Sequence, residues 1–82
     1  MAKPKTKKTR MDTEATEVFA GTWEFSTDIY DWRYESNRGG LNLHIRKKGE
    51  VNYNAQLYAT TLNEAAMFAW GFDSGVKHGK DK

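Results

Sequence analysis

Tyr58-Ala59-Thr60-Thr61-Leu62-Asn63-Glu64-Ala65-Ala66-Met67 decides the fold, because a period-2 stretch ends inside it and a period-3.6 stretch begins. Thr61 and Glu64 have the spacing of a capping box. The Thr61 hydroxyl can accept from the Glu64 amide, and the Glu64 carboxylate can reach back to the Thr61 amide, so two otherwise orphaned donors are satisfied at a helix start. From there Leu62, Ala65, Ala66, Ala69, Phe72 and Val76 recur every three or four residues as one apolar stripe. Half of that stripe is alanine, which predicts a helix seated close to its support. Upstream, Val51, Tyr53, Ala55, Leu57 and Ala59 alternate with Asn52, Asn54, Gln56 and Tyr58, the pattern of a strand with one wet face. The helix is expected to cover the Val51/Tyr53/Ala55/Leu57 side.

Working outward, Val18 to Ser26 reads as a first strand, with Phe19, Trp23 and Phe25 on one side. Thr27-Asp28 is a short turn. Ile29 to Glu35 is a second strand that alternates Tyr30, Trp32 and Tyr34 with Asp31, Arg33 and Glu35, and its three aromatics make it the richest source of buried area. Ser36-Asn37-Arg38-Gly39-Gly40 is a turn signal. Leu41, Leu43 and Ile45, alternating with Asn42, His44 and Arg46, form a third strand. Lys47-Lys48-Gly49-Glu50 then turns the chain into the strand that meets the helix. The fold class expected is α+β: an antiparallel sheet of three to four strands packed on one C-terminal helix. Its single domain spans residues 17–76, after a disordered basic tail over 1–16 and before a frayed end over 77–82, with Gly75 as the helix cap.

Size and composition narrow the function. The chain has 82 residues and no cysteine, which excludes a disulfide framework and a thiolate zinc site. Neither a membrane span nor the apolar segment of a signal peptide is present, so a cytoplasmic protein is expected. The formal net charge is only +2, but it is unevenly spread. Met1 to Arg10 holds five bases and no acid, Met11 to Glu35 seven acids and one base, and Ser36 to Glu50 four bases and one acid. The basic arm is of a kind that touches phosphates.

Catalysis has little to work with. His44 and His78 share no spacing with a third ligand, and Ser26, Ser36 and Ser74 lie in no nucleophile motif. No enzyme activity, cofactor, metal or small-molecule substrate is expected. The informative feature is the wet side of the sheet, where Asn42, His44, Arg46, Asn54 and Gln56 would stand with Arg33 nearby and Lys48 at the adjoining turn. Asn and Gln pair with adenine edges and Arg with guanine, and a narrow sheet can enter a major groove. On this reading DNA is the partner, with Lys3, Lys5, Lys7, Lys8 and Arg10 tracking phosphates.

The run His44-Ile45-Arg46-Lys47-Lys48-Gly49-Glu50, continued by Leu57 to Ala66, resembles part of the APETALA-type plant DNA-binding domain and of the arm-site domain of phage integrases. The likeness covers about residues 29 to 76. It implies a three-stranded sheet that reads the major groove and is backed by a C-terminal helix, with Arg33, His44, Arg46 and Asn54 facing the groove. Residues Tyr58 to Ala65 are also similar to the strand-helix junction of the small RNA polymerase inhibitors of T-odd coliphages, which implies docking on a host protein, the bacterial RNA polymerase, and a phage-encoded regulator of transcription. That alternative fits the acidic block, with Asp28, Asp31 and Glu35 as its binding residues. It also fits Met67 and Trp70, which fall off or beside the helix stripe and offer an exposed apolar patch.

Overall fold

A computed structural model describes residues 5–79. Six strands precede one helix: β1 (Thr6–Lys8), β2 (Glu14–Phe19), β3 (Thr22–Ser26), β4 (Tyr30–Glu35), β5 (Leu43–Lys47), β6 (Asn54–Leu57) and α1 (Leu62–Gly79). Each strand pairs antiparallel with its neighbour in sequence, so the sheet order is β1-β2-β3-β4-β5-β6. The α+β class and the C-terminal helix hold, but three to four strands is an underestimate.

β1 and the first half of β2 come from the stretch expected to be a disordered tail. Thr6, Lys7 and Lys8 stand opposite Thr16, Ala15 and Glu14. All three β1 side chains are exposed, so the strand has no hydrophobic alternation to announce it. Its turn is instead polar and buried: Thr9 and Thr13 are both nearly inaccessible, and the Thr9 amide donates to the Thr13 carbonyl at 2.9 Å. The expected single strand Val18–Ser26 is in fact the end of β2, a tight turn and β3. Gly21 makes that turn at φ +80°, a left-handed backbone conformation that glycine adopts without strain and a side chain there would not. Phe19, expected on one side of a strand with Trp23 and Phe25, instead lies at the turn and is 72% exposed. The turn at Thr27-Asp28 forms as expected, and Gly49 turns the chain after β5 at φ +95°.

The core sits between α1 and the inner face of β3, β4 and β5. Trp32 is its centre, fully buried. Phe25 stacks on it at 6.4 Å, while Phe68 and Phe72 of the helix meet it edge-on at 6.2 and 5.9 Å. The Trp32 indole N–H donates to the Thr27 hydroxyl at 2.9 Å, which satisfies its one polar atom in an apolar place. The small-residue stripe behaves as predicted, with Leu62, Ala65, Ala66 and Ala69 all buried. Helix capping follows the box with one change. The Glu64 amide donates to the Thr61 hydroxyl at 3.1 Å, but the Glu64 carboxylate reaches one residue further back, accepting from the Thr60 amide and hydroxyl at 3.2 and 2.7 Å. The helix does not stop at Gly75 but continues to Gly79. Residues 1–4 and 80–82, with Lys3 among them, lie outside the described residues.

One buried group was not anticipated. Asp73 is 1% exposed on the helix face, and its Oδ2 accepts from the Ile29 amide at 2.8 Å. This carboxylate ties the helix to the β3–β4 turn. Outside it, Lys77 pairs with Asp28 at 2.5 Å, which lowers the Asp28 pKa and raises that of Lys77.

Candidate interaction surfaces

The outer face of the sheet is built by the odd residues of β4 and their register partners. Arg33 stands opposite Glu24 on one side and His44 on the other, and Asp31 opposite Ser26 and Arg46. Cross-strand neighbours on one face lie about 5 Å apart, so opposite charges here find each other. Arg33 pairs with Glu24 at 2.5 Å, Arg46 with Asp31 at 2.9 Å, and His44 Nε2 lies 3.1 Å from a Glu35 oxygen that also takes Arg38 at 3.2 Å. Partial burial pushes the Asp31 carboxyl up, but hydrogen bonds from Ser26 and Arg46, with the Arg46 charge, outweigh that and leave its pKa below the ordinary carboxylate value. The bond to Asp31 in turn raises the Arg46 pKa.

Above these pairs lies Tyr53. Its ring is 4.6 Å from the Arg33 guanidinium and 4.3 Å from that of Arg46, a cation-π clamp that brings the β5–β6 loop onto the outer face. Burial raises the Tyr53 pKa, with a further push from Glu24. Strict alternation places Tyr53 and Ala55 under the helix, but both lie on the outer side. The reason for the difference is a bulge: Leu57 is in register with Leu43, but Ala55, not Gln56, is in register with His44. One extra residue flips everything before it to the other side. Val51, also expected inside, is 83% exposed.

The amides expected on this face are therefore dispersed. Asn42 is buried at 2% exposure, and its side chain donates to the Ala59 carbonyl at 2.8 Å and accepts from the Ala59 amide at 2.7 Å. It lies before β5 rather than in it, and its carboxamide continues the ladder where β6 has ended, which occupies its donor and acceptor atoms with backbone. Leu41, its neighbour, is half exposed rather than inside. Asn54 is exposed opposite Ile45, and Gln56 is exposed at the bulge. The bases divide as well. Lys7 and Arg10 border a hollow at the helix start with Asn63, Met67 and Phe68, whereas Lys8 pairs loosely with Asp12 at 3.5 Å. Lys5 and Lys48 are exposed. Arg33, His44 and Arg46 do share one face, but each has a carboxylate beside it.

A second surface lies on the helix. Met11, Met67, Trp70, Gly71 and Ser74 line a shallow, mostly apolar hollow that adjoins the Lys7/Arg10 hollow through Met67. Met11 and Met67 are 42% and 54% exposed. Trp70 is half-buried, and its indole N–H donates to the Thr13 hydroxyl, so one edge is fixed while the other faces out. Arg10 donates its amide to Asn63 Oδ1 at 3.0 Å, which holds the β1–β2 turn against the helix. Met11 was not singled out in the sequence, because it lies in the stretch assigned to a tail. Of the acids expected to bind a partner, Asp28, Asp31 and Glu35 are all engaged by bases of the same chain.

Among the described residues no cluster of three or more His, Asp or Glu is placed to hold a metal ion. No described helix is long and apolar enough to cross a membrane. No protein-family model, no curated protein and no solved structure matches the chain.

Proposed function

We propose that this chain is a small non-enzymatic binding protein whose partner is another protein, gripped by the Met11/Met67/Trp70 surface and its basic rim. The observation that carries this reading is the pairing of two half-exposed methionines with a tryptophan held by Thr13. Flexible thioethers and a fixed aromatic edge form a contact surface that adapts to an apolar knob. Lys7 and Arg10 beside it favour a partner with acidic side chains around that knob.

The likeness of Tyr58 to Ala65 to the coliphage inhibitors makes bacterial RNA polymerase the first partner to test. Purified polymerase, treated with nuclease, is expected to bind the immobilised full chain. The Met67→Glu variant is expected to lose that binding at least tenfold while melting as the parent does. Equal binding by parent and variant counts against this surface.

DNA binding is the second reading, favoured by Lys5, Lys7, Lys8 and Arg10 along the β1 edge and its turn. It ranks lower because the ion pairs of Arg33, His44 and Arg46 would have to break, and Tyr53 move, before those residues met a base edge. Duplex affinity that falls steeply with salt and is unaffected by Met67→Glu would favour it.

A further inference from the structure

Alternation along β4 and β5 sends Arg33, Glu35, His44 and Arg46 to the same side of the sheet, and the loops that flank β5 bring Arg38 and Asn52 over them. These six form most of the wall of a hollow of about 340 Å³. Three guanidiniums meet one carboxylate there. The acids that pair with Arg33 and Arg46 stand elsewhere: Glu24 and Asp31 lie in the wall of a neighbouring hollow, which shares only Arg46 and Tyr53 with the first. The guanidiniums are thus fixed along one edge and unused along another. Arg33 gives Nε and Nη2 to a single Glu24 oxygen at 2.9 and 2.5 Å, and Arg38 gives only Nη1 to Glu35 at 3.2 Å. Among the described residues, Arg33 Nη1, Arg38 Nε and Nη2 and the Asn52 carboxamide have no hydrogen-bond partner within the protein. Arg46, held by Asp31 and by the Val51 carbonyl at 3.4 Å, adds its charge beside them.

We propose that this hollow binds a phosphate dianion, free or as a monoester. Guanidinium forks match phosphate oxygens in charge and in spacing. The unused donors come from three segments, β4 and the two loops around β5, which suits a tetrahedral acceptor better than a planar one. The ion pairs and the Tyr53 ring hold Arg33 and Arg46 in place beforehand, so little side-chain freedom is lost on binding. No pair has to break, which separates this site from the reading of base edges by the same residues. It is also independent of the Met11/Met67/Trp70 surface. Glu35 is the internal rival, because its carboxylate already takes Arg38 and His44 and repels an incoming anion.

Titration of the full chain with inorganic phosphate, followed by NMR of the arginine Nε–H groups, is expected to shift Arg33 and Arg38 and to saturate in the millimolar range. Arg38→Gln, in an exposed loop, is expected to weaken binding about tenfold with an unchanged melt. Glu35→Gln removes the one negative charge of the wall and is expected to strengthen binding about fivefold. Arg10→Gln, beside the helix start, is expected to leave the affinity as it is. Acetate, planar and singly charged, is expected to bind more weakly than phosphate. O-phosphoserine tests the source: tighter binding than inorganic phosphate assigns the ester, weaker binding the free ion, and both support the site. The absence of a saturable shift overturns the proposal, as does acetate binding as tightly as phosphate. Loss of binding in Arg10→Gln but not in Arg38→Gln would move the anion to the helix start and also overturn it. So would a Glu35→Gln variant whose affinity is unchanged or lower.

Discussion

Strand β4 presents two different chemistries on its two sides. Tyr30, Trp32 and Tyr34 face the helix and make a dry aromatic layer with Phe25, Phe68 and Phe72. Asp31, Arg33 and Glu35, interleaved with them, face outward into a lattice of ion pairs closed by Tyr53. The difference separates what holds the molecule together from what gives its outer surface a defined shape. Burial stabilises in proportion to apolar area removed from water, whereas partly exposed ion pairs contribute little each.

The sharpest way to break the comparison is to truncate neighbours in the one strand. Trp32→Ala removes the centre of the aromatic layer and the indole N–H that donates to the Thr27 hydroxyl. It is expected to cost about 3–5 kcal/mol in urea denaturation, whereas Arg33→Ala, one residue away, is expected to stay within about 1 kcal/mol. Comparable losses would mean that the two sides are not energetically distinct.

The next largest effect separates two asparagines that alternation alone treats alike. Asn42→Ala leaves the buried Ala59 amide and carbonyl without partners and is expected to destabilise by about 1–3 kcal/mol. Asn54→Ala, at an exposed position, is expected to change stability by no more than about 0.5 kcal/mol. A thermal-melt comparison suffices to rank them.

A double-mutant cycle over Glu24→Gln and Arg33→Met sharpens the outer side. With these side chains about a third exposed, the coupling is expected at about 0.2–1 kcal/mol, and it should shrink as salt rises.

The smallest effect is with pH. Because the Asp31 pKa is lowered on folding, its contribution is complete above its unfolded value of about 3.9 and is lost as pH falls through the folded value. Arg46→Gln removes one of the causes of that lowering. The Asp31 carboxyl carbon, followed by NMR, is then expected to titrate at higher pH than in the parent. An unchanged midpoint would show that the Ser26 hydroxyl is sufficient.

The parts of this fold that were legible in the sequence are those where neighbouring residues carry the signal. Tyr30/Trp32/Tyr34 alternate without interruption, Thr61 and Glu64 sit at capping distance, and the Leu62/Ala65/Ala66/Ala69 stripe has a helical period. What escaped depends on partners distant in the chain. The β1 side chains are all wet, so the strand is defined only by its pairing with β2. Asp73 looks like a surface residue until the Ile29 amide, 44 positions away, is brought to it. Helix α1 passes Gly71 because continued packing by Phe72 and Asp73 outweighs a weak local preference, and beyond Gly75 Lys77 still reaches Asp28. The candidate surface was half legible. Met67 and Trp70 stand out from the stripe by angle alone, but Met11 joins them only through the Arg10–Asn63 and Thr13–Trp70 bonds. The outer-face amides were misplaced by a single bulged residue near Gln56 and by a third strand that starts at Leu43 rather than Leu41.

The neighbour-to-neighbour strand order bears on how the molecule assembles. Each hairpin can zip onto the previous one with a short loop to close, so the sheet needs no slow search for remote pairing. The distant links are made by the helix, which is synthesised after the sheet: Arg10 to Asn63 and Thr13 to Trp70 join positions 53 and 57 apart. Until Leu62 to Phe72 have left the ribosome, a nascent sheet displays Trp32 and its aromatic neighbours bare. That interval is when the chain is most exposed to aggregation or to capture by a chaperone.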